Sequence, residues 1–179
     1  MRESQSETDE TNLDDMDDEE DASVDLFEML KTDHRHVLEL FNKFEEADKH
    51  ARSAIADKTL TALEVHTAIE EELVYPAIAD VVEEEKLVNE AKEEHHVAKL
   101  LIKELHKMGA GDAKFPTKFK VLGEIVRQHI EEEEGEMFPQ AEEGGLETEQ
   151  LSQDVVKRKD KLMQKYDGGK KSTKRKKAA

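Results

Sequence analysis

Cysteine and tryptophan are absent from the 179-residue chain, proline occurs three times, and aromatic residues make up only 4%. Without cysteine there is no disulfide framework, thiolate metal site or cysteine nucleophile, so any metal chemistry must use histidine and carboxylate. Few aromatics beside 40% charged residues suit long solvated helices better than a sandwich or barrel. No apolar run approaches the roughly 20 residues that span a bilayer, and the acidic N-terminus lacks the basic and apolar regions of a signal peptide. The expectation is a soluble, cytoplasmic protein without membrane insertion. A net charge of -18 repels nucleic-acid phosphates, so any such contact would have to come from a basic tail.

Residues 1–23 are mostly Ser, Thr, Asp and Glu, too polar to offset their own ordering entropy, and read as a disordered acidic arm. Residues 168–179 open on Gly168-Gly169, which should end the preceding helix, and continue as a basic tail. Between them, residues 24–140 carry apolar positions at spacings of three and four, the pattern of helices packed along a seam, and 141–167 hold one further helix. The first seam reads Phe27, Leu30, His34, Val37, Phe41, Phe44, and the third Val88, Ala91, His95, Ala98, Ile102, Leu105. The second reads Thr59, Leu63, His66, Glu70, Leu73, Ala77, and the fourth Phe119, Leu122, Val126, His129, Glu133, with Met137 close by. Short connections favour an all-α, up-down-up-down four-helix bundle.

The chain repeats itself. A helix with an acid-His pair, Asp33-His34 and then Glu94-His95, precedes a helix with His-x-x-x-Glu; His66/Glu70 leads to Tyr75-Pro76 and His129/Glu133 to Phe138-Pro139 at identical offsets. Residues four apart share a helix face, so each His/Glu pair can aim two ligand groups at one interior locus. Four imidazoles and two carboxylates in one core layer would be badly destabilised without partners, and a metal pair removes that problem. Imidazole with carboxylate and no sulfur suits iron, manganese or zinc, with iron first for redox work on oxygen species. His36, His50, His96 and His106 fall outside the seams, although an error of one residue would exchange His95 for His96. Glu71, Glu72, Glu131, Glu132 and Glu134 read as a solvated face.

This order of motifs resembles the hemerythrin HHE cation-binding family, over roughly Val24 to Gln140. The resemblance implies a hemerythrin-like four-helix bundle around two non-haem iron ions, with ligands His34, His66, Glu70, His95, His129 and Glu133, and with Glu70 and Glu133 bridging. It further suggests that His34 pairs with His129 on one iron and His66 with His95 on the other. An open position would remain for an oxo bridge, dioxygen, nitric oxide or peroxide. Two positions depart from the oxygen carriers: Lys99 stands where they have a second third-helix histidine, and Glu133 stands one residue before their aspartate. The relatives that repair iron centres have an added cysteine-bearing region, and this chain has no cysteine.

Three functions follow as expectations. The first is binding or sensing of oxygen, nitric oxide or iron, signalled to a protein partner. The second is an enzyme acting on peroxide or nitric oxide, peroxidase- or catalase-like. Iron storage is the third, disfavoured because the motifs provide for two ions. Tyr75 is placed to donate a hydrogen bond near the centre, and Asp33 or Glu94 to orient histidines.

Overall fold

The structure, a computed structural model, describes residues 25–83 and 85–176, with side chains as far as Tyr166. The acidic arm expected at 1–23 lies outside the described residues, as do the last three residues of the basic tail.

Helix α1 (Leu26–Glu46) begins at Asp25, whose carboxylate accepts from the Glu28 amide at 3.0 Å. Helix α2 (Lys49–Ile69) begins at Asp48, which accepts from the amides of His50 and Ala51. Both caps satisfy amides that the first turn leaves orphaned. A π turn (Glu70–Val74) joins α2 to α3 (Tyr75–Ala79) in one rod. Helix α4 (Lys86–Met108) ends at Gly109, whose φ of 72° is open to glycine without strain. Helix α5 (Phe115–Glu132) repeats the second rod: a π turn (Glu133–Met137) leads into α6 (Phe138–Glu143). α1 packs chiefly on α2 and α4 on α5, completing the up-down-up-down bundle. No helix among the described residues is long and apolar enough to cross a membrane.

The last helix, α7 (Glu149–Lys176), lies against α1, α2 and the first π turn, with Val155 and Leu162 buried. It runs on across Gly168-Gly169, where the sequence reading ends it. A glycine inside a helix costs roughly 1 kcal/mol against alanine, which weakens a helix without forbidding it.

The core is in two parts. Leu26, Phe27, Leu30, Ile69, Tyr75, Ile78, Val88 and Phe138 cluster at one end. Val37, Phe41, Phe44, Leu60, Leu63, Phe115, Phe119 and Leu122 cluster at the other. The chain passes from one cluster to the other at His34, between Leu30 and Val37, and at His95, between Ala91 and Ala98.

The seams of α1 and α4 are as expected, and every residue named in them is buried. The second seam shifts by one residue after Glu70: Val74 and Ile78 are buried where Leu73 and Ala77 were expected. The π turn is the cause. It holds one more residue than an α turn, so each later position takes the angle its predecessor would have had, a change of about 100°. The turn sits just before a proline in both rods. Pro76 and Pro139 have no N–H, and a proline ring collides with the carbonyl four residues back in a regular α-helix. The amides of Tyr75 and Phe138 bond instead to the carbonyls of Glu70 and Glu133, five residues back.

Gly144 closes the second rod against the loop after the first. A methyl group there would lie 2.6 Å from the Val81 carbonyl oxygen, whereas at Gly135 it would meet nothing within 4 Å. Gly144→Ala should therefore destabilise the bundle by about 1–3 kcal/mol, and Gly135→Ala should not. Thermal melts of the two variants check this; equal melting temperatures would contradict the contact.

Candidate metal centre

His34, His66, Glu70, His95, His129 and Glu133 meet in the layer between the two core clusters, each no more than 5% exposed. Nε2 of His34 lies 2.9 Å from Nε2 of His66, and Nε2 of His95 lies 3.0 Å from Nε2 of His129. The carboxylates lie between the pairs. Glu70 has one oxygen 3.1 Å from His66 and the other 3.5 Å from His95; Glu133 Oε2 is 3.3 Å from His34 and 3.2 Å from His129. Two groups of donor atoms are compact enough to hold an ion: His34, His66, Glu70 and Glu133, and Glu70, His95 and His129. The pairing differs from the division suggested by sequence, His34 with His129 and His66 with His95. Within each hairpin the two helices are adjacent and antiparallel, which brings their own histidines tip to tip. His36, His50, His96 and His106 are all exposed, so the alternative of His96 in place of His95 falls away.

The outer nitrogens have partners as well. His34 Nδ1 meets Glu134 at 2.7 Å, His95 Nδ1 meets Glu71 at 3.1 Å, and His129 Nδ1 meets Glu94 at 2.8 Å. A carboxylate can only accept, so each of these three rings carries a proton on Nδ1 and, in its neutral form, turns the Nε2 lone pair inward. Neutral rings so fixed would set two lone pairs against each other across the 3.0 Å His95–His129 gap. Both oxygens of Glu70 and one of Glu133 are buried without a hydrogen-bond donor. A layer of inward lone pairs and unpartnered carboxylate oxygens fits a cation, which removes both conflicts.

Glu71 and Glu134 were expected on a solvated face, and both turn inward to histidines. Each follows an inward glutamate directly, and its carboxylate reaches a histidine of the opposite hairpin. The signal available in the sequence was the repeat itself, which puts an acid after the glutamate in both halves. Of the two residues expected to orient histidines, Glu94 does so, while Asp33 stands 4.0 Å from His66 Nδ1 and makes no hydrogen bond to it. Tyr75 donates to Glu133 at 2.7 Å. In an unbroken α-helix it would lie about 180° round from His66, and the extra residue of the π turn brings it to about 80°. Phe138, its counterpart, has no hydroxyl and stacks on the His34 ring at 6.1 Å.

With only protons to neutralise the carboxylates, the histidines supply the positive charge. Burial opposes charge on His34, but Glu133 and Glu70 outweigh it and raise its pKa to about 10. Burial likewise opposes charge on His129, and Glu133, Glu70 and Glu94 raise it to about 9. Burial and the neighbouring His129 lower His95 despite Glu70 and Glu133. Burial works against ionised Glu70 and Glu133, yet the facing histidines hold both below the usual carboxylate range.

The sign of the pH dependence follows. Raised histidine values contribute stability that is complete below 6.5 and lost as pH climbs toward 9 and 10, and the depressed carboxylates contribute stability that is complete above 4.5 and lost on acidification. His95, held below its usual value, adds stability as pH rises to 6.5, so the metal-free protein should be most stable near pH 6.5 and melt at progressively lower temperature up to pH 9. Metal-loaded protein, in which a cation replaces those protons, should lose less over the same range. Calorimetric melts of both forms test this, and parallel pH profiles would contradict it.

The crystal structure of a hemerythrin HHE cation binding domain-containing protein from Mycobacterium kansasii is similar to this chain. It is 25% identical with a TM-score of 0.66, over 78% of this chain and 87% of the other. No curated protein sequence matches. The hemerythrin HHE cation binding domain family matches residues 25–141, the segment that contains all six inward ligand-type side chains, and the chain belongs to that family.

Proposed function

We propose that the protein holds two iron ions on His34, His66, Glu70, His95, His129 and Glu133, and that it binds or senses a diatomic ligand, oxygen or nitric oxide, there. In this reading His34 and His66 would hold one ion and His95 and His129 the other, with Glu70 and Glu133 lying between the two pairs. Manganese and zinc suit the same donors, but iron adds redox chemistry and affinity for diatomic molecules. Glu71, Glu94 and Glu134 keep three rings in the ligating tautomer and raise their basicity.

The observation that carries the reading is a cavity of about 20 Å³ lined by His34, His66, His95 and His129 and otherwise mainly by apolar side chains such as Val37, Leu63, Ala98, Val126 and Ile130. One water-sized molecule needs about 10–15 Å³, so there is room for a diatomic molecule and little more. Apolar walls favour oxygen or nitric oxide over a solvated anion. Storage is disfavoured because the inward ligand set provides for two ions.

Protein produced with iron should contain about two ions per chain and absorb in the visible, and His66→Ala/Glu70→Ala should lose both properties while still folding. Nitric oxide added to the reduced protein should change that spectrum. Folded protein with no specific metal would overturn the reading.

The enzymatic reading, turnover of peroxide or nitric oxide, is favoured by Tyr75. Its hydroxyl touches Glu133 and lies 3.2 Å and 3.4 Å from Nε2 of His95 and His129, so it is a proton donor within the layer. If the protein is an enzyme that uses this proton, Tyr75→Phe should cut turnover by about 100-fold or more at unchanged iron content. Steady-state assays measure this, and undiminished turnover would remove Tyr75 from the chemistry.

A further inference from the structure

The pseudo-twofold repeat sets an expectation for each histidine's outer nitrogen. The acid before each first-hairpin-helix histidine serves the second histidine of the same hairpin, as Glu94 serves His129 at 2.8 Å. By that rule Asp33 should serve His66. It does not: the separation is 4.0 Å, and His66 Nδ1 is the one histidine ring nitrogen among the described residues that is buried without a partner.

Asp33 is held elsewhere. Both its oxygens accept from Lys159 Nζ, at 2.5 and 2.6 Å. Lys159 belongs to α7, which lies beyond the segment that matches the family. The next residue back, Arg158, grips Glu72 through two nitrogens at 2.6 and 2.8 Å, and Val155 and Leu162 anchor the same helix in the core. A helix fixed at four points cannot easily let Lys159 follow Asp33 inward. The contest for Asp33 is unequal, because an ammonium attracts a carboxylate more strongly than a neutral imidazole N–H does.

A second break in the symmetry lies at the two glutamates between the positions. Tyr75 donates to Glu133, whereas Phe138 offers Glu70 nothing, and neither Glu70 oxygen has a hydrogen-bond donor. The His34/His66 position therefore lacks, at His66, the outer carboxylate that Glu94 gives His129 in the other position.

We propose that Lys159 is a positioning residue: by withdrawing Asp33 from His66 it weakens metal binding at the His34/His66 position, so that the two ions are held unequally. This rests on the two-ion reading above. An outer-shell carboxylate typically changes metal affinity by 10–100-fold, which sets the size of the expected effect.

The test is titration of the full-length metal-free protein with Co²⁺, followed by its visible absorption and by calorimetry. The parent should bind two Co²⁺ with affinities at least about tenfold apart. Lys159→Met should strengthen the weaker site by about tenfold and leave the stronger one unmoved, and Lys159→Arg, which can still hold Asp33, should behave as the parent. Asp33→Asn should leave both sites within about threefold of the parent, whereas Glu94→Gln should weaken the stronger site by about tenfold or more. Equal sites in the parent, an unmoved weak site in Lys159→Met, or an Asp33→Asn loss as large as that of Glu94→Gln would each overturn the inference alone. A parent that binds no Co²⁺, or binds it independently of Glu70 and Glu133, would overturn the two-ion reading and this inference with it. A merely structural role for Lys159 would lower the melting temperature without moving one site relative to the other.

Discussion

Glu70 and Glu133 carry negative charge into a fully buried layer of the bundle, and the surrounding structure answers that charge in shells. An ionised carboxylate buried without compensation costs several kcal/mol, so the layer is unstable unless positive charge is supplied at close range. Four imidazoles face the carboxylates. Acids at the rim accept from the outer nitrogens of three of those rings, and Glu71 in turn takes both its oxygens to Lys99 at the surface. Each shell fixes the orientation of the one inside it. The residue at the position where oxygen carriers have a further histidine thus has another use here: Lys99 holds the acid that holds His95.

Such a layer interrupts the hydrophobic core and removes apolar contact where the helices would otherwise be packed most tightly. The two clusters on either side make up for this with their largest residues. Phe41, Phe44, Phe115 and Phe119 form one continuous aromatic stack, and Phe27 with Phe138 forms a second pair at the other end. Rigid packing above and below limits how far the ligand side chains can drift, which is what a site of defined geometry requires.

Much of this was legible in the sequence, and the reason it stops where it does is geometric. Periodicity locates inward positions so long as a helix stays α, so His34, His95 and the seams of α1 and α4 read directly. The same rule carries His66, Glu70, His129 and Glu133, which precede or open the π turns. Past Glu70 the rule fails by one residue, exchanging Leu73 for Val74 and Ala77 for Ile78, because hydropathy records no extra residue in a turn. Pro76 and Pro139 were the available warning, since neither can sit in an unbroken α-helix without a rearrangement of this kind. The outer acids were illegible for a different reason. A row of glutamates beside a ligand looks alike whether it faces water or a histidine, and the pairing of Lys159 with Asp33, 126 residues apart, leaves no local trace.

The two faces of the polar layer also differ in a way that bears on its chemistry. The cavity opens on the side of Val37, Leu63, Ala98 and Val126, and Tyr75 is not among its lining residues. Tyr75 and Phe138 belong to the cluster on the opposite side. A molecule in the cavity therefore meets mostly apolar walls, with Thr67 and Glu94 the polar residues besides the histidines, while the Tyr75 hydroxyl approaches the layer at Nε2 of His95 and His129. Reduction of peroxide to water needs protons delivered to its oxygens; the donors that line the cavity are Thr67, whose hydroxyl is turned to the Glu64 carbonyl at 3.5 Å, and the histidines, three of whose four Nδ1 atoms face glutamates. Reversible binding of an uncharged diatomic molecule needs none. A mostly apolar ligand face thus suits an uncharged diatomic molecule, and turnover of peroxide would have to draw its protons through Tyr75 and the histidines.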